Sequence, residues 1–435
     1  MSRPISLLFV AVAALAPFAA LAENPDEALA RDDRIAALER QVQTLTEELG
    51  KLRTETAVPA EQPLASEHGL GPAASKIYGA GRGVSIGGYG ELIYANPIAD
   101  SGGALARADA LRLVTYLGYK FSDKIVFNSE IEFEHALTGT STASSGSGEV
   151  AVEFASIDFN WKPALNFRTG LVLMPVGFVN EVHEPPYFYG VFRPETETRL
   201  LPATWRELGV GAFGNLGETL EYRAYVVTGF NARGFGADGF RSGRQRGNRA
   251  IAEDAAFVAR LDWSPDLAPG LDVGGSFYYG GVDQEQAGLP DSRVWIAEAH
   301  AQYRAGGFHS RALFAYTDLS RAGTLSTALG KAPGAGIASN MLGGYLELAY
   351  DIWPSLFGES TERALEPFAR IEFIDTQHDV PSGFSANENL DYWVFSSGLS
   401  YFPHPNVVLK AEYRNQHAEF GPRPDQIALG LGFAY

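Results

Sequence analysis

Ile427-Ala428-Leu429-Gly430-Leu431-Gly432-Phe433-Ala434-Tyr435 ends the chain; every odd position is bulky and apolar, every even one tiny. A period of two means an extended strand with two unlike faces. Stretches of this kind recur about sixteen times, with no amphipathic helices between them to cover the apolar sides. A soluble sheet would bury the large side chains against a second layer. Here the pattern predicts that hydrocarbon covers them, and that an all-β chain closes into a transmembrane antiparallel β-barrel of about 16 strands.

The 435 residues suffice for one large closed barrel. Residues 1–22 read as a signal peptide: Arg3 supplies charge, Ile5 to Phe18 the apolar stretch, and Ala20-Leu21-Ala22 the cleavage site. The chain carries no cysteine, which excludes a disulfide scaffold, thiol catalysis and thiolate metal sites. A formal charge of −18 argues against nucleic acid as a partner.

Residues 23–53 are expected to form a periplasmic helix. Ile35, Leu38, Val42, Leu45, Leu49 and Leu52 alternate three and four apart, the seam of a short coiled coil that would join copies of the chain. The mixed seam leaves two or three helices open, and one helix lying on its own barrel is the alternative. Residues 54–83, with Pro59, Pro63 and Pro72, read as a linker, and 84–435 as the barrel. Strands are predicted from 84–94 through 425–435, joined by connections that alternate between tight turns such as Phe121-Ser122-Asp123 and long polar loops such as Pro175–Trp205. That alternation is what short periplasmic turns and long external loops produce. Trp161, Trp263, Trp353, Trp205, Trp295 and Trp393 fall near strand ends, so all six are expected in the two interfacial girdles.

Reading parity strand by strand, Arg112, Arg168, Arg223, Arg260 and Arg370 point inward together with Glu130, Glu132 and Glu134. So many inward charges predict a water-filled lumen, with these residues lining the pore and setting its selectivity, since unpaired charges in a dry core are costly. The loop from Pro175 to Trp205 carries Glu181, His183, Glu184, Arg193 and Glu195 among aromatics and prolines. It is expected to fold inward as a constriction, the alternative being a surface loop packed between subunits. Between Asn231 and Ala250, Arg233, Arg241, Arg244, Arg246 and Arg249 face a single Asp238. This basic external loop would gather anions at the mouth or bind lipopolysaccharide phosphates.

Ile86-Gly87-Gly88-Tyr89-Gly90-Glu91, Ser129-Glu130-Ile131-Glu132-Phe133-Glu134-His135 and Pro175-Val176-Gly177 resemble segments of the phosphate-selective porins O and P. So do His183-Glu184-Pro185-Pro186 and Thr204-Trp205-Arg206-Glu207-Leu208-Gly209. The resemblance runs from about Val84 to Tyr435 and is densest over 86–211. It implies a trimeric sixteen-stranded outer-membrane channel with an in-folded third external loop, and a terminal Tyr435 read by the barrel-assembly machinery. Phosphate-specific members of that family use an arginine ladder and a constriction lysine cluster. Here the arginines have counterparts, but the loop contains no lysine.

The function these readings imply is passive diffusion of small hydrophilic, anionic or phosphate-like solutes through an outer-membrane porin that needs no cofactor or metal. An envelope tether or adhesion barrel is the runner-up. A barrel enzyme is the weakest reading, because the histidines are scattered and neither HExxH nor G-x-S-x-G occurs.

Overall fold

The computed structural model describes residues 34, 37, 38, 40–46, 64–100, 102–139, 148–360 and 362–435. The chain divides into two units, Met1–Pro63 and Leu64–Tyr435. Among the described residues of the first, those from 34 to 46 are helical, and Leu38, Val42 and Leu45 are exposed. The expected signal peptide, and Ile35, Leu49 and Leu52 of the expected seam, lie outside the described residues.

In the second unit sixteen strands form one closed antiparallel barrel in sequence order. They are β1 (Gly83–Ala99), β2 (Arg107–Ser122), β3 (Ile125–Glu134), β4 (Val150–Lys162), β5 (Leu165–Leu173) and β6 (Arg206–Asn215). Next come β7 (Leu220–Thr228), β8 (Ala255–Trp263), β9 (Leu271–Gly281), β10 (Arg293–Ala305) and β11 (Phe308–Leu319). The wall is completed by β12 (Asn340–Tyr350), β13 (Ala364–Asp379), β14 (Asp391–His404), β15 (Val407–Ala418) and β16 (Asp425–Ala434). β16 closes on β1 from Tyr89 opposite Ala434 to Asn96 opposite Ile427. The terminal residue extends the seam: Gly88 and Tyr435 exchange both N–H to carbonyl bonds, at 2.9 and 2.8 Å. Closure leaves no unpaired edge, the condition for placing sheet in hydrocarbon.

The two faces divide by parity. Outward stand exposed Leu113, Leu117, Phe133, Phe277, Phe314, Phe395 and Leu429, while their inward neighbours Val114, Tyr116, Glu132, Ser276, Ala315, Val394 and Ala428 are buried. An exposed apolar belt on the outside of a closed barrel is a lipid-facing surface. Trp161, Trp263 and Trp393 stand outward in it, exposed at strand ends.

Trp205 departs from the expected girdle. It is fully buried on the inner side, stacked 4.5 Å from Phe230 and tilted against Tyr278 at 4.8 Å. Phe235 and Phe240 pack beside Phe230, so the long loop after β7 folds inward on an aromatic core. The second half of the expected linker also differs. Residues 64–82 are folded, with Leu70, Ala73, Ala74 and Ile77 buried and a short helix over Lys76–Gly79. No hydrophobic period marks this stretch, because its burial depends on the wall it meets.

Candidate functional site: the lumen and its constriction

The loop between β5 and β6 crosses the lumen. Its two ends are stapled by Asn180, whose side chain donates to Met174 O (2.7 Å) and Trp205 O (2.9 Å) and accepts from Trp205 N (2.7 Å). The backbone turns at Gly177 with φ +62°, where a Cβ would lie 2.5 Å from Glu197 Oε2, so only glycine fits. Glu197 then accepts from the N–H groups of Phe178 (2.7 Å) and Val179 (2.6 Å) and from the Tyr345 hydroxyl (2.7 Å).

From there the loop is fastened to the wall on many sides. Glu412 of β15 accepts from Val191 N (2.6 Å) and Phe192 N (3.0 Å), and Lys410 donates to Phe188 O at 2.7 Å. Glu372 accepts from Thr196 N, and Arg414 meets Glu195 at 2.9 Å. His183 Nε2 lies 3.1 Å from Glu130 on β3, and its ring packs on Tyr89 of β1. Glu181 pairs with Arg223 at 3.0 Å and Arg260 at 3.6 Å. These contacts draw carboxylates from the wall onto backbone N–H groups of the loop, which satisfies buried polar groups in a lumen too wide for side chains alone to fill.

Burial pushes the Glu184 carboxyl up to about 8, against the N–H donors of Ala73 and Ala74 that favour its ionised form. Burial also drives His183 down to about 3, helped by the Arg193 guanidinium, so the imidazole is neutral. Glu195 is the reverse case: burial opposes its charge, but Arg414 and Arg199 outweigh it and leave the carboxyl at about 2.

The arginines expected to line the pore and set its selectivity lie on the inner face, each beside carboxylates. Arg168 is buried against Asp158 at 2.8 Å, and Arg223 meets Glu181 and Asp262. Arg260 pairs with Asp262 at 2.8 Å, and Arg370 lies 2.9 Å from Glu347 and 2.8 Å from Glu372. Arg112, half-buried, sits 3.3 Å from Glu91 and 3.7 Å from Glu132. These arginines face the lumen yet are paired; Arg223, Arg260 and Arg370 also brace the loop, while Arg168 reaches His68 O and Arg112 stays with carboxylates of the wall. Glu130 and Glu132 are buried, and Glu134 is partly exposed. Parity could assign these faces. From Arg370, Glu372 is two residues along the same strand and Glu347 directly opposite on β12, but parity could not name Glu412 of β15 or the loop carbonyls as partners.

The basic external loop is likewise divided. Arg241 donates to Thr198 O (3.2 Å) and Ala203 O (2.7 Å), and Arg244 to Pro202 O (3.0 Å) and Arg241 O (2.9 Å). Both guanidiniums are lowered from their ordinary value, by burial first and then by neighbouring arginines. Arg233 donates to Gln286 at 2.6 Å, Arg246 lies 3.8 Å from Glu149, and Arg249 is exposed. At the end of the barrel with the short turns, a cavity of about 430 Å³ lies between Tyr187, Phe188 and Tyr189 of the loop and Arg304, His309 and Glu366 of the wall.

No family model matches the chain. Among solved structures it is similar to the outer-membrane channel DcaP of Acinetobacter baumannii, at 14% identity over 81% of this chain and 97% of that one, with a TM-score of 0.50. It is also similar to Salmonella typhi OmpF in complex with daunomycin, at 13% identity over 81% and 97%, with a TM-score of 0.53. A loop L8 deletion mutant of OmpT, an outer membrane protein of Vibrio cholerae, gives 12% identity over 81% and 99%, with a TM-score of 0.50. At such identities the likeness speaks for the fold, a sixteen-strand porin barrel. In sequence the chain is 40% identical over 373 residues to an uncharacterised protein of Aquifex aeolicus (strain VF5), covering 83% of this chain and 82% of that protein, and it belongs to the same family.

Proposed function

We propose that the protein is an outer-membrane porin through which small hydrophilic solutes diffuse passively. One observation carries this reading: a closed sixteen-strand barrel turns an apolar belt outward and a charged, loop-narrowed lumen inward. Such a body is at home only where hydrocarbon surrounds it and water enters its ends. Its similarity in fold to outer-membrane channels supports the same reading.

The finer features follow from the same chemistry. Arginines of the external loop that lack a carboxylate partner favour anions at the outer mouth, and the exposed Arg249 and Arg233 suit lipopolysaccharide phosphates. Motifs similar to the phosphate-selective porins O and P support an anion preference. A loop fastened through glutamates and free of lysine argues against strict phosphate specificity. The exposed Leu38, Val42 and Leu45 of the N-terminal helix suit a coiled coil that helps assemble a homotrimer after export through a cleaved signal peptide. The terminal Tyr435, paired to Gly88 at the seam, fits a signal for the barrel-assembly machinery.

The test is a planar-bilayer recording under a salt gradient. Discrete ohmic steps with a reversal potential displaced toward the anion value are expected. Ohmic steps with a cation-displaced potential would retain the channel and remove the anion preference.

A further inference from the structure

The folded stretch 64–82 meets the lumenal wall, like the constriction loop, through side chains of the wall. Its backbone hydrogen bonds close on itself, from Leu70 to Glu67, Ser75 to Gly71, Tyr78 to Ser75 and Ala80 to Ile77. Ser75 ties it further, accepting from Glu67 N at 2.9 Å and donating to Leu70 O at 3.1 Å. The wall reaches it through side chains. Lys120 donates to the carbonyls of Tyr78 (3.0 Å) and Ala80 (2.9 Å), and Asn128 to that of Ala74 (2.8 Å). Arg168 donates to His68 O at 3.1 Å, and Asp158 accepts from the Tyr78 hydroxyl at 2.6 Å. From the loop side, Glu184 accepts from Ala73 N at 2.9 Å.

The fit is close. Gly69, at φ +73°, would place a Cβ 2.4 Å from Glu181 Oε1, and Gly71 would place one 2.4 Å from Glu184 Oε1. The stretch therefore presses against two carboxylates of the constriction loop while Leu70, Ala73 and Ala74 pack on Tyr89, Val114, Tyr116 and Phe154 of the wall. It occupies lumen that the loop leaves free.

We propose that Leu64–Ala80 is a displaceable plug: seated, it shuts the sector of the lumen beside β1 to β5, and drawn out through its N-terminal connection it opens that sector. The inference rests on the channel reading. Withdrawal breaks no strand pair, since the plug's own bonds travel with it. The seat it exposes has an apolar part, Tyr89, Val114, Tyr116 and Phe154, and a polar part, Lys120, Asn128, Asp158, Arg168, Glu181 and Glu184. Charged groups are an expensive way to build a permanent interior, where apolar side chains of like volume serve as well or better. They suit a surface that must be stable both covered and wet. Side-chain hydrogen bonds that water can replace do much of the holding, and the chain continues at Pro63 into the N-terminal unit, where a pull would be applied.

The cysteine-free chain permits a clean test. A Cβ at Gly118 of β2 would lie 3.1 Å from the Ile77 Cβ, slightly inside the roughly 3.5–4.5 Å of a disulfide. Ile77→Cys removes the Cγ1 and Cδ1 that would lie 2.9 and 3.0 Å from the Cβ of Gly118→Cys, leaving a few tenths of an ångström for the two Cβ atoms to part. The full chain carrying both substitutions is recorded in planar bilayers, oxidised and then with reductant, beside a deletion of residues 64–80. Openings rare when oxidised should become frequent on reduction, and the deletion should conduct severalfold more than the oxidised clamp with no response to reductant. Equal, non-zero currents in all three overturn the plug and leave the channel standing. Inserted protein that carries no current in any of the three overturns both. If the deletion does not fold, the clamp alone decides.

Discussion

Arg370 on β13 and Arg244 in the external loop are both buried guanidiniums, and they keep opposite company. Arg370 has Glu347 at 2.9 Å, Glu372 at 2.8 Å and Glu412 at 3.7 Å, and also donates to the carbonyls of Tyr189 and Phe192. Arg244 donates to the carbonyls of Pro202, Ala203 and Arg241 and has Arg241 as a charged neighbour. On the wall, charge is cancelled within a few ångströms and spent on holding the constriction loop. In the external loop Arg241 and Arg244 meet backbone carbonyls instead, while Arg246 lies 3.8 Å from Glu149. On the proposed channel reading, the external loop would contribute more to the field met by a solute than the paired wall arginines do.

Removing a wall arginine should break this contrast most visibly. Arg370→Ala strands three buried carboxylates and should cost about 3–5 kcal/mol, read as a lower unfolding midpoint of the detergent-solubilised barrel. Asn180→Ala unstaples the constriction loop and should cost about 1–3 kcal/mol, with faster proteolysis inside 175–205 and noisier current. The third effect is on pH. The Glu184 carboxyl sits at about 8 when buried between the backbone N–H groups of Ala73 and Ala74, the Tyr116 hydroxyl of β2 and Glu130 of β3. Its seated value is raised, so the contribution to seating is greatest below the ordinary carboxylate range, falls as pH climbs toward about 8, and is flat above. Channel openings should be more frequent at pH 8 than at pH 5, and Glu184→Gln should flatten that dependence. The smallest effect belongs to the mouth: Arg241→Ala should lower the anion-to-cation permeability ratio by about twofold or less, since a single screened charge acts on a wide entrance. An unchanged ratio would move the selectivity elsewhere.

The strands were legible because a period of two needs only neighbouring residues: Phe133 and Glu132 declare opposite faces side by side. Partnership across the lumen was not. Nothing near Arg370 in sequence says that Tyr189 and Phe192 will rest upon it, because that contact exists only once a loop from the opposite wall has crossed over. Trp205 misled for a related reason. It stands at a strand end like Trp393, but Asn180 fixes its backbone and the ring of Phe230 draws it inward. The stretch 64–80 left no periodic trace, since its burial is lent by Tyr89, Tyr116 and Phe154. Glycines at 69 and 71 were its only local sign, and composition alone made them a linker.

The decisive measurement is ionic current through the purified chain reconstituted into a planar lipid bilayer, recorded with residues 64–80 present and deleted. Discrete, voltage-independent conductance steps, larger in the deletion, are the expected result. Protein that inserts and folds in both forms yet passes no current at any applied voltage would contradict an aqueous path through this barrel.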